Sequence, residues 1–301
     1  MARTVAGNVA WIVLLLATTA SAAETTAPAT IEAQALRGGL HVLKGAGANV
    51  VAWTGSDGLL VVDTGDVASA PQLFEALAKV SPGPVRLVVN THWHPDHVGG
   101  NAALRRAGAE IIAHDDTRAR MTSRQLMSPY EVEVPAAPRD ALPIVTFDDT
   151  LSLHLNGTRV LLVHVPAAHT DGDLVVWWES ANVVHLGDAY YAGEYPAIDV
   201  ANGGSLAGTV AAIETTLSRT DARTVIVPGH GPVSNRGELM AYRDMLVAVG
   251  KRVRELVEQG NSLDEVLAAR PTEAFDERYG QAGIGAERFV RLLYADLTAR
   301  R

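Results

Sequence analysis

The chain has 301 residues, of which 48% are hydrophobic and 20% are charged, and its formal net charge is −9 at pH 7. This acidic balance argues against a basic face for nucleic acid or an anionic membrane as the main binding surface. The sequence contains no cysteine, which excludes disulfides, thiolate metal ligands and cysteine nucleophiles.

Residues 1–22 have the pattern of a cleavable signal peptide. Arg3 supplies a positive charge, residues 9–17 form an apolar stretch, and Ala20-Ser21-Ala22 matches the small residues that precede a cleavage site. The apolar stretch is shorter than the roughly 20 residues that a membrane span requires. The sequence therefore predicts an exported protein, periplasmic or secreted, that begins near Ala23 and has no stable membrane insertion after cleavage.

The first half of the remaining chain alternates between predicted strands and helices. Alternating apolar residues and glycine turns at 41–65 predict a meander of short strands that ends at Asp63. The elements predicted after it are a helix at 71–80, a buried strand at 85–90, a helix that ends at Gly108, a strand at 110–114 and a helix from about 116 to 127. The proline-rich stretch 128–147 predicts a surface loop.

The second half repeats this order. Strands are predicted at 151–155, 159–165, 174–178 and 182–186, followed by a glycine-bearing loop at 190–205, a helix at 206–217, a strand within "RTVIVPGHG" and long helices that include 238–259. Because both halves run from strands to helix to strand and no linker separates them, we predict one domain over residues 23–301. Its expected fold class is α/β, a four-layer αββα sandwich of two mixed sheets with a helical C-terminal part.

The stretch "NTHWHPDHVGG" follows the predicted strand at 85–90 and carries His92, His94, Asp96 and His97 within six residues. On a turn that leaves a strand, side chains two positions apart can converge on one point. His92 and His94 can therefore form one pair of ligands, and Asp96 and His97 a second pair. Imidazole and carboxylate ligands without sulfur suit Zn²⁺ best, with Fe or Mn as alternatives.

Each ion needs further ligands, and three later strand ends each supply one. His169, Asp188 and His230 all follow apolar strands and lie in loops that contain glycine or proline, where functional residues commonly collect. Asp171 and Asp173 flank a glycine and are interpreted as turn residues. The remaining histidines are predicted to be structural, although two of them, His114 and His185, lie near strand ends on the motif side; the full set is His41, His114, His154, His164 and His185.

The order H-x-H-x-D-H, followed at a distance by His, Asp and His, resembles the signature of the metallo-β-lactamase superfamily. The resemblance extends from "LLVVDTG" to "PGHG" and implies the αββα fold. The ligand sets that it implies are His92, His94 and His169 for one ion, Asp96, His97 and His230 for the other, and Asp188 as a bridge between both. It also implies that Asp63 supports the metal-binding loop through hydrogen bonds. Thr91 and Thr170, beside ligands, are candidates for the same kind of support.

This resemblance implies a hydrolase with two Zn²⁺ ions per chain, and the pattern of residues 1–22 predicts that it is exported. Two ions about 3.5–4 Å apart can share a hydroxide at neutral pH, because metal binding lowers the pKa of water from about 15.7 towards roughly 7. The hydroxide is expected to attack the carbonyl of a lactone, ester, thioester or amide. Asp96 is the expected orienter of the nucleophile and carrier of its proton. Tyr190 and Tyr191 are candidates for substrate contact and, through a hydroxyl, for oxyanion stabilisation.

Two ligand positions distinguish branches of the superfamily. His94 stands where diiron relatives carry Glu, and Asp188 stands where true β-lactamases carry Cys or Ser. The set therefore resembles lactonases, glyoxalase II and general hydrolases more than dedicated β-lactamases. Three alternatives remain: a β-lactam hydrolase, a mononuclear iron dioxygenase acting on sulfur compounds, and a non-catalytic metal-binding protein. The expected partner is a small-molecule substrate and not nucleic acid; the substrate, the native metal and the oligomeric state stay open.

Overall fold

The computed structural model describes residues 30–299, so the predicted signal peptide lies outside the described residues. The strands are β1 (Glu32–Ala35), β2 (Leu40–Ala46), β3 (Ala48–Trp53), β4 (Leu59–Val62), β5 (Val85–Val89), β6 (Glu110–His114), β7 (Gln125–Met127), β8 (Val132–Val134), β9 (Val145–Phe147), β10 (Thr150–Leu155), β11 (Thr158–His164), β12 (Leu174–Trp178), β13 (Val183–His185), β14 (Val225–Val227) and β15 (Ser234–Asn235). The helices are α1 (Ala70–Val80), α2 (Pro95–Val98), α3 (Asn101–Arg106), α4 (Asp115–Met121), α5 (Leu206–Ser218), α6 (Arg236–Glu258), α7 (Leu263–Ala268), α8 (Asp276–Tyr279) and α9 (Gly285–Ala299).

Two mixed sheets form the centre of the molecule. The first has the order β1-β2-β3-β4-β5-β6-β9, antiparallel from β1 to β4 and parallel from β4 to β9. The second has the order β10-β11-β12-β13-β14-β15 and is antiparallel except for the parallel pair β13–β14. Strands β7 and β8 form a separate antiparallel hairpin.

Side chains from the two sheets pack against each other, and helices cover both outer faces. Val62 and Trp178 belong to the apolar core between the sheets. The outer face of the first sheet packs on α1 and α3, and the second sheet packs on α5, α6 and α9. Burying a Val, Leu or Phe side chain stabilises a fold by about 1.5–3 kcal/mol relative to exposure, so these cores hold the layers together. The predicted αββα sandwich is confirmed.

Two predictions for residues 116–147 are wrong in detail. The helix expected from about 116 to 127 ends at Met121, and residues 125–127 form a strand. The Gln125 side-chain amide donates to the Arg120 carbonyl (3.1 Å), which occupies an acceptor that a longer helix would use. The proline-rich stretch is not only a loop, since it contains β8 and β9. Strands of three residues are too short to show a periodic pattern.

The topology brings the chemically important loops to one edge of the sandwich. Asp63 follows β4, the H-x-H-x-D-H motif follows β5, and the residues after β11, β13 and β14 carry His169, Asp188 and His230. Because the ends of neighbouring strands in a sheet lie close together, five loops distant in sequence can contribute to one site. Within residues 30–299, none of the helices combines the length and apolar character needed to cross a membrane.

Candidate metal centre

The metal-binding motif changes direction at Pro95. His94 has an extended backbone (φ −63°, ψ 147°) and directly precedes α2, which begins at Pro95. Proline is favoured at the first helical position because its fixed φ suits the helix and its missing N–H costs no bond there. His92 and His94 therefore leave an extended segment, whereas Asp96 and His97 leave a helical turn. The two pairs consequently face different points.

One group of potential ligands consists of His92, His94, His169 and Asp188. One ligand atom from each lies within 4.8 Å of the others, and all four residues are buried. Nε2 of His169 is 2.8 Å from Nδ1 of His94 and 3.6 Å from Oδ2 of Asp188. Nε2 of His92 is 3.9 Å from the same carboxylate oxygen. Three imidazoles and one carboxylate thus surround a common point.

The second group consists of Asp96, His97 and His230, again with ligand atoms within 4.8 Å of one another. Oδ2 of Asp96 is 3.6 Å from Nε2 of His97 and 3.3 Å from Nε2 of His230. Asp188 touches this group too, with Oδ1 at 3.1 Å from His97 Nε2 and Oδ2 at 3.3 Å from His230 Nε2. The seven side chains named as ligands from the sequence therefore lie together, with Asp188 between the two groups.

The buried donor set fits metal ions. His92 Nε2, His97 Nε2 and Asp188 Oδ1 are buried and lack a well-formed hydrogen bond within the described part of the chain. Leaving a buried polar atom unsatisfied costs about 1–3 kcal/mol, and a coordinated cation would remove that cost. Seven nitrogen and oxygen ligands without sulfur are a donor set that zinc accepts, and iron or manganese accept it as well.

Metal binding requires neutral imidazoles and ionised carboxylates, and the metal-free centre meets this condition at His169 and Asp188 but not at His230. Burial and the neighbouring His94 lower the pKa of His169 to about 3, so its ring is neutral at pH 7. Burial alone would raise the pKa of Asp188, but the charges of His97 and His230 hold it well below its usual range. Burial opposes protonation of His230, yet Asp188 and Asp96 raise its pKa to about 10. Metal binding would displace that proton.

Asp63 supports the metal-binding motif through buried hydrogen bonds. It is completely buried with a left-handed backbone (φ 62°), a conformation that Asp and Asn tolerate better than other residues. Its carboxylate accepts hydrogen bonds from the backbone N–H of Thr91 (2.7 Å), the Thr91 hydroxyl (2.7 Å) and Nδ1 of His97 (2.8 Å). The Thr91 hydroxyl also lies 3.1 Å from Nδ1 of His92. These contacts fix two rings so that their Nε2 atoms face the centre.

Thr170 reaches the centre only indirectly. Its hydroxyl donates to Oδ1 of Asp173 (2.6 Å), and Oδ2 of Asp173 accepts from the backbone N–H groups of His169 (2.6 Å) and Thr170 (2.8 Å). Asp173 therefore closes the turn that presents His169, in keeping with its interpretation as a turn residue. Asp171 lies on the other side of this turn and pairs with Arg120.

Sequence reasoning missed Asp199. Its Oδ2 lies 3.0 Å from Nε2 of His94 and accepts from the Asn202 side-chain amide (2.8 Å), while Oδ1 accepts from the Ser128 hydroxyl (2.6 Å). A carboxylate on the outer nitrogen of a metal-binding histidine fixes the tautomer and orientation of the ring. No spacing rule could have found this partner, because it lies 105 residues from His94 in a long loop.

Replacing Asp199 with alanine is expected to weaken binding of the ion at His94 by 10- to 100-fold, on the order found when such outer partners are removed. Competition with a coloured chelator measures this affinity without relying on activity. Asp221→Ala is the matched control, because that carboxylate also anchors a loop, through Asn182 and Thr224. These residues lie at the N-terminal ends of β13 and β14, whereas Asp188 and His230 follow the C-terminal ends. Equal affinities in the two variants would contradict the role assigned to Asp199.

Tyr190 and Tyr191, the two candidates for substrate contact, have different surroundings. The Tyr191 hydroxyl donates to Oδ2 of Asp188, and its ring stacks on His230 with centroids 5.0 Å apart. Tyr190 points away from the metal groups: its hydroxyl lies 2.8 Å from Oγ of Ser234, and its ring packs on Tyr242.

A third tyrosine, which sequence reasoning missed, lies at the tip of the β7–β8 hairpin. Tyr130 is 42% exposed, and burial together with the charges of Asp188 and Asp96 raises its pKa to about 12. The hydroxyl is therefore protonated at neutral pH. The sequence pattern gives no sign of Tyr130, because it predicts a helix over residues 125–127 where the structure has the first strand of the hairpin.

Two further histidines form a group of their own. His114 and His164 stack with centroids 3.6 Å apart and planes inclined by 15°, beside Asp116. Nε2 of His114 lies 2.9 Å from the Asp148 carbonyl, and Nε2 of His164 lies 2.8 Å from the Asp171 carbonyl. Nearly parallel rings direct their lone pairs along parallel planes, so they do not converge on one ion. This geometry agrees with a structural role.

A family model described as the metallo-beta-lactamase superfamily matches residues 44–251, more than half of the chain. The chain belongs to this superfamily. A metallo-beta-lactamase type 2 from Bacillus sp. (strain 170) is 28% identical over 192 residues, which cover 64% of this chain and 69% of the relative. A hydroxyacylglutathione hydrolase from Anaeromyxobacter dehalogenans is 30% identical over 178 residues, 58% of each protein.

Other superfamily members are similar over different shares of the chain. A linear primary-alkylsulfatase from Pseudomonas sp. is 24% identical over 251 residues, which cover 70% of this chain but only 47% of the relative. The solved metallo-beta-lactamase from Pontibacter korlensis has a TM-score of 0.60 at 19% identity and covers 72% of this chain and 99% of its own. This structural likeness supports the fold alone. Together, the family and the histidine and aspartate groups indicate a binuclear metal site.

Proposed function

We propose that the protein is an exported zinc-dependent hydrolase that cleaves a small ester, thioester, lactone or amide. The observation that carries this proposal is the pair of adjacent ligand groups joined by Asp188. Relatives named as a lactamase, a hydrolase and a sulfatase support hydrolysis as the reaction class. Bound zinc ions would polarise the scissile carbonyl and lower the pKa of water towards roughly 7.

Among the carboxylates of the centre, Asp96 is placed to move the proton. Its side chain is 35% exposed, whereas those of Asp188 and Asp63 are 2% and 0% exposed. Asp96 therefore lies on the solvent-exposed side of the metal centre. Burial acts against its ionisation, but His97 and His230 keep the pKa of Asp96 well below the usual range. An ionised carboxylate there can accept a proton from the attacking water molecule and pass it to the leaving group.

Of the two tyrosines nearest in charge to the centre, we assign the stabilisation of negative charge on the substrate to Tyr130. Tyr130 is protonated at neutral pH and half exposed, so its hydroxyl can donate a hydrogen bond to an oxygen that becomes negative during attack. Tyr191 is buried and already donates to Asp188, so its role is to hold that carboxylate.

Hydrolysis of β-lactams is the second candidate. The similarity to the Bacillus metallo-beta-lactamase favours it, and the carboxylate of Asp188 between both ligand groups weighs against it. The relatives named above are a lactamase, a hydrolase and a sulfatase, which favours hydrolysis over an iron dioxygenase or a non-catalytic role.

A substrate panel on metal-reconstituted protein tests the proposal. The protein is stripped with a chelator, reloaded with zinc, iron or manganese, and assayed with acyl esters, thioesters, lactones, a chromogenic β-lactam and an alkyl sulfate. We expect zinc to restore hydrolysis, with kcat/KM for the best carbonyl ester at least about tenfold above that for the β-lactam, a difference of about 1.4 kcal/mol in transition-state binding. Oxygen consumption with iron and no hydrolysis with zinc would refute it.

Export is a separate part of the proposal, supported by the pattern of residues 1–22. Fractionation of cells that express the full chain should recover the protein outside the cytoplasm, with a mature N-terminus near Ala23. Recovery of the uncleaved chain in the cytoplasm would contradict it.

A further inference from the structure

Helix α4 packs against the turn that presents His169. Thr117 and Arg120 are about one helical turn apart on α4 and therefore lie on the same face of the helix. The Thr117 hydroxyl donates to the Gly172 carbonyl (2.9 Å), and the Arg120 guanidinium donates to both carboxylate oxygens of Asp171. The turn is thus held by side chains of α4 in addition to its own hydrogen bonds.

Arg120 also reaches the loop that orients His94. Its Nη1 donates to Oδ1 of Asn202 (2.9 Å). The side-chain amide of Asn202 in turn donates to Oδ2 of Asp199 (2.8 Å), and the same oxygen lies 3.0 Å from Nε2 of His94. A continuous chain of hydrogen bonds therefore runs from the guanidinium to a metal-binding ring.

The chemistry of arginine fixes the direction of this chain. A guanidinium carries N–H donors and no acceptor, so the buried side chain of Asn202 must turn its oxygen towards Arg120. Its N–H₂ group then faces the acceptors on the other side, which are Asp199 and the Leu126 carbonyl (2.7 Å). With the opposite orientation, the Asn202 oxygen would face a carboxylate. Arg120 thereby sets the donor that holds Asp199 in place.

The His169 turn and the Asp199 loop are joined at the backbone as well. The Asp199 N–H donates to the His169 carbonyl (2.9 Å), and the Asp171 N–H donates to the Asn202 carbonyl (3.0 Å). The two segments therefore run side by side, and the guanidinium bridges their side chains. His169 and His94 belong to the same ligand group, with 2.8 Å between Nε2 of the first and Nδ1 of the second. One side chain thus acts on two ligands of one ion.

The alternative is a surface ion pair without further effect. The side chains of Arg120 and Asp171 are each 28% exposed, and exposed ion pairs contribute little to stability. The guanidinium, however, donates to three separate segments: to Asp171, to Asn202 and to Oε1 of Gln125 in β7 (3.2 Å). Its removal should therefore change the position of these segments, and hence metal binding, more than the free energy of unfolding.

We propose that Arg120 is a positioning residue that holds His94 and His169 together around their ion. It acts through Asp171 on the turn and through Asn202 on the loop. The inference rests on the metal centre of the proposed function, but it requires no particular substrate and no turnover. Because β7 is anchored to the same guanidinium, activity would combine two effects, and metal affinity is the sharper measurement.

The test is a calorimetric titration of the metal-free protein with zinc in Arg120→Met, which keeps an unbranched side chain and removes its donors. We expect one of the two ions to bind about 10- to 100-fold more weakly, as when other outer partners of ligands are lost, and the second ion to keep its affinity. Arg124→Met is the matched control: Arg124 pairs with Glu133, its side chain is 71% exposed, and its loss should leave both affinities unchanged.

A double-mutant cycle shows whether Arg120 acts along the chain of hydrogen bonds. Members of one network are not additive, so Arg120→Met combined with Asp199→Ala should weaken the ion by less than the product of the two single effects. Arg120→Lys keeps the positive charge but not the planar fork of donors, so it should weaken the same ion to a smaller degree. This variant carries the same test if Arg120→Met does not fold.

Unchanged affinities, equal weakening of both ions, or strict additivity with Asp199→Ala would overturn the inference. Failure of the proposed function has a different result: the unaltered protein would bind zinc but hydrolyse no ester, thioester, lactone or amide, and the comparison of affinities would still hold. Absence of zinc binding to the unaltered protein would overturn both.

Discussion

Replacing Asp188 with alanine is expected to reduce kcat/KM by at least about 100-fold and to leave the protein with less than its full metal content. Asp188 is the residue whose carboxylate contacts both ligand groups, at 3.1 Å from His97 and 3.3 Å from His230 on one side and 3.6 Å from His169 on the other. Loss of partners that merely orient ligands costs 10- to 100-fold, so loss of a shared ligand should cost more. Elemental analysis and steady-state kinetics measure the two effects.

Asp244→Ala provides the control for this variant, because Asp244 is an exposed aspartate in the middle of α6. It should retain the metal content and activity of the unaltered protein. Full activity in Asp188→Ala at unchanged metal content would show that the two groups do not share this carboxylate.

Replacing Asp63 with asparagine should destabilise the metal-free protein by about 2–4 kcal/mol, because it breaks a buried interaction between a carboxylate and a histidine. Asparagine tolerates the left-handed backbone at this position, so the change acts through the side chain. Its amide N–H₂ would face Nδ1 of His97 and the Thr91 hydroxyl in place of an accepting oxygen. Urea unfolding of the metal-free variant measures the loss.

The same variant should bind the ion at His97 about 10- to 100-fold more weakly, since the ring loses the partner that orients it. The ion at His94 depends on Asp199 and should be affected less. Asp244→Asn, which makes the same chemical change at an exposed site, should change neither stability nor affinity. Wild-type stability in Asp63→Asn would mean that the carboxylate does not hold the motif.

The fold was predictable because its signals are local and repeated. Apolar runs such as residues 174–178 identify buried strands, and turn residues separate the runs, so the order of strands and helices implies the sandwich. The short strands β7, β8 and β9 were missed, since three residues show no period. Strands β7 and β8 pair only with each other, and the pairing of β9 depends on a partner distant in sequence, as in the register of Val145 with Ile112.

The metal centre was predictable for a different reason. The chemistry needs several ligands of particular types at strand ends, and His92, His94, Asp96 and His97 lie close enough in sequence to be noticed together. Asp199 and Tyr130 have no such signal. Asp199 meets His94 across 105 residues, and Tyr130 lies on the β7–β8 hairpin, whose turn is anchored to Asp199 through Ser128. Contacts of this kind follow from the packing of loops, which sequence patterns do not describe.

The most direct test of a binuclear hydrolytic centre is a calorimetric titration of metal-free protein with zinc, with hydrolysis of the best ester measured at each point. We predict two zinc ions bound per chain and full activity only after the second has bound, because the two ligand groups share Asp188 and the proposed reaction uses both ions. Binding of a single ion with full activity, or no tight binding at all, would contradict this account.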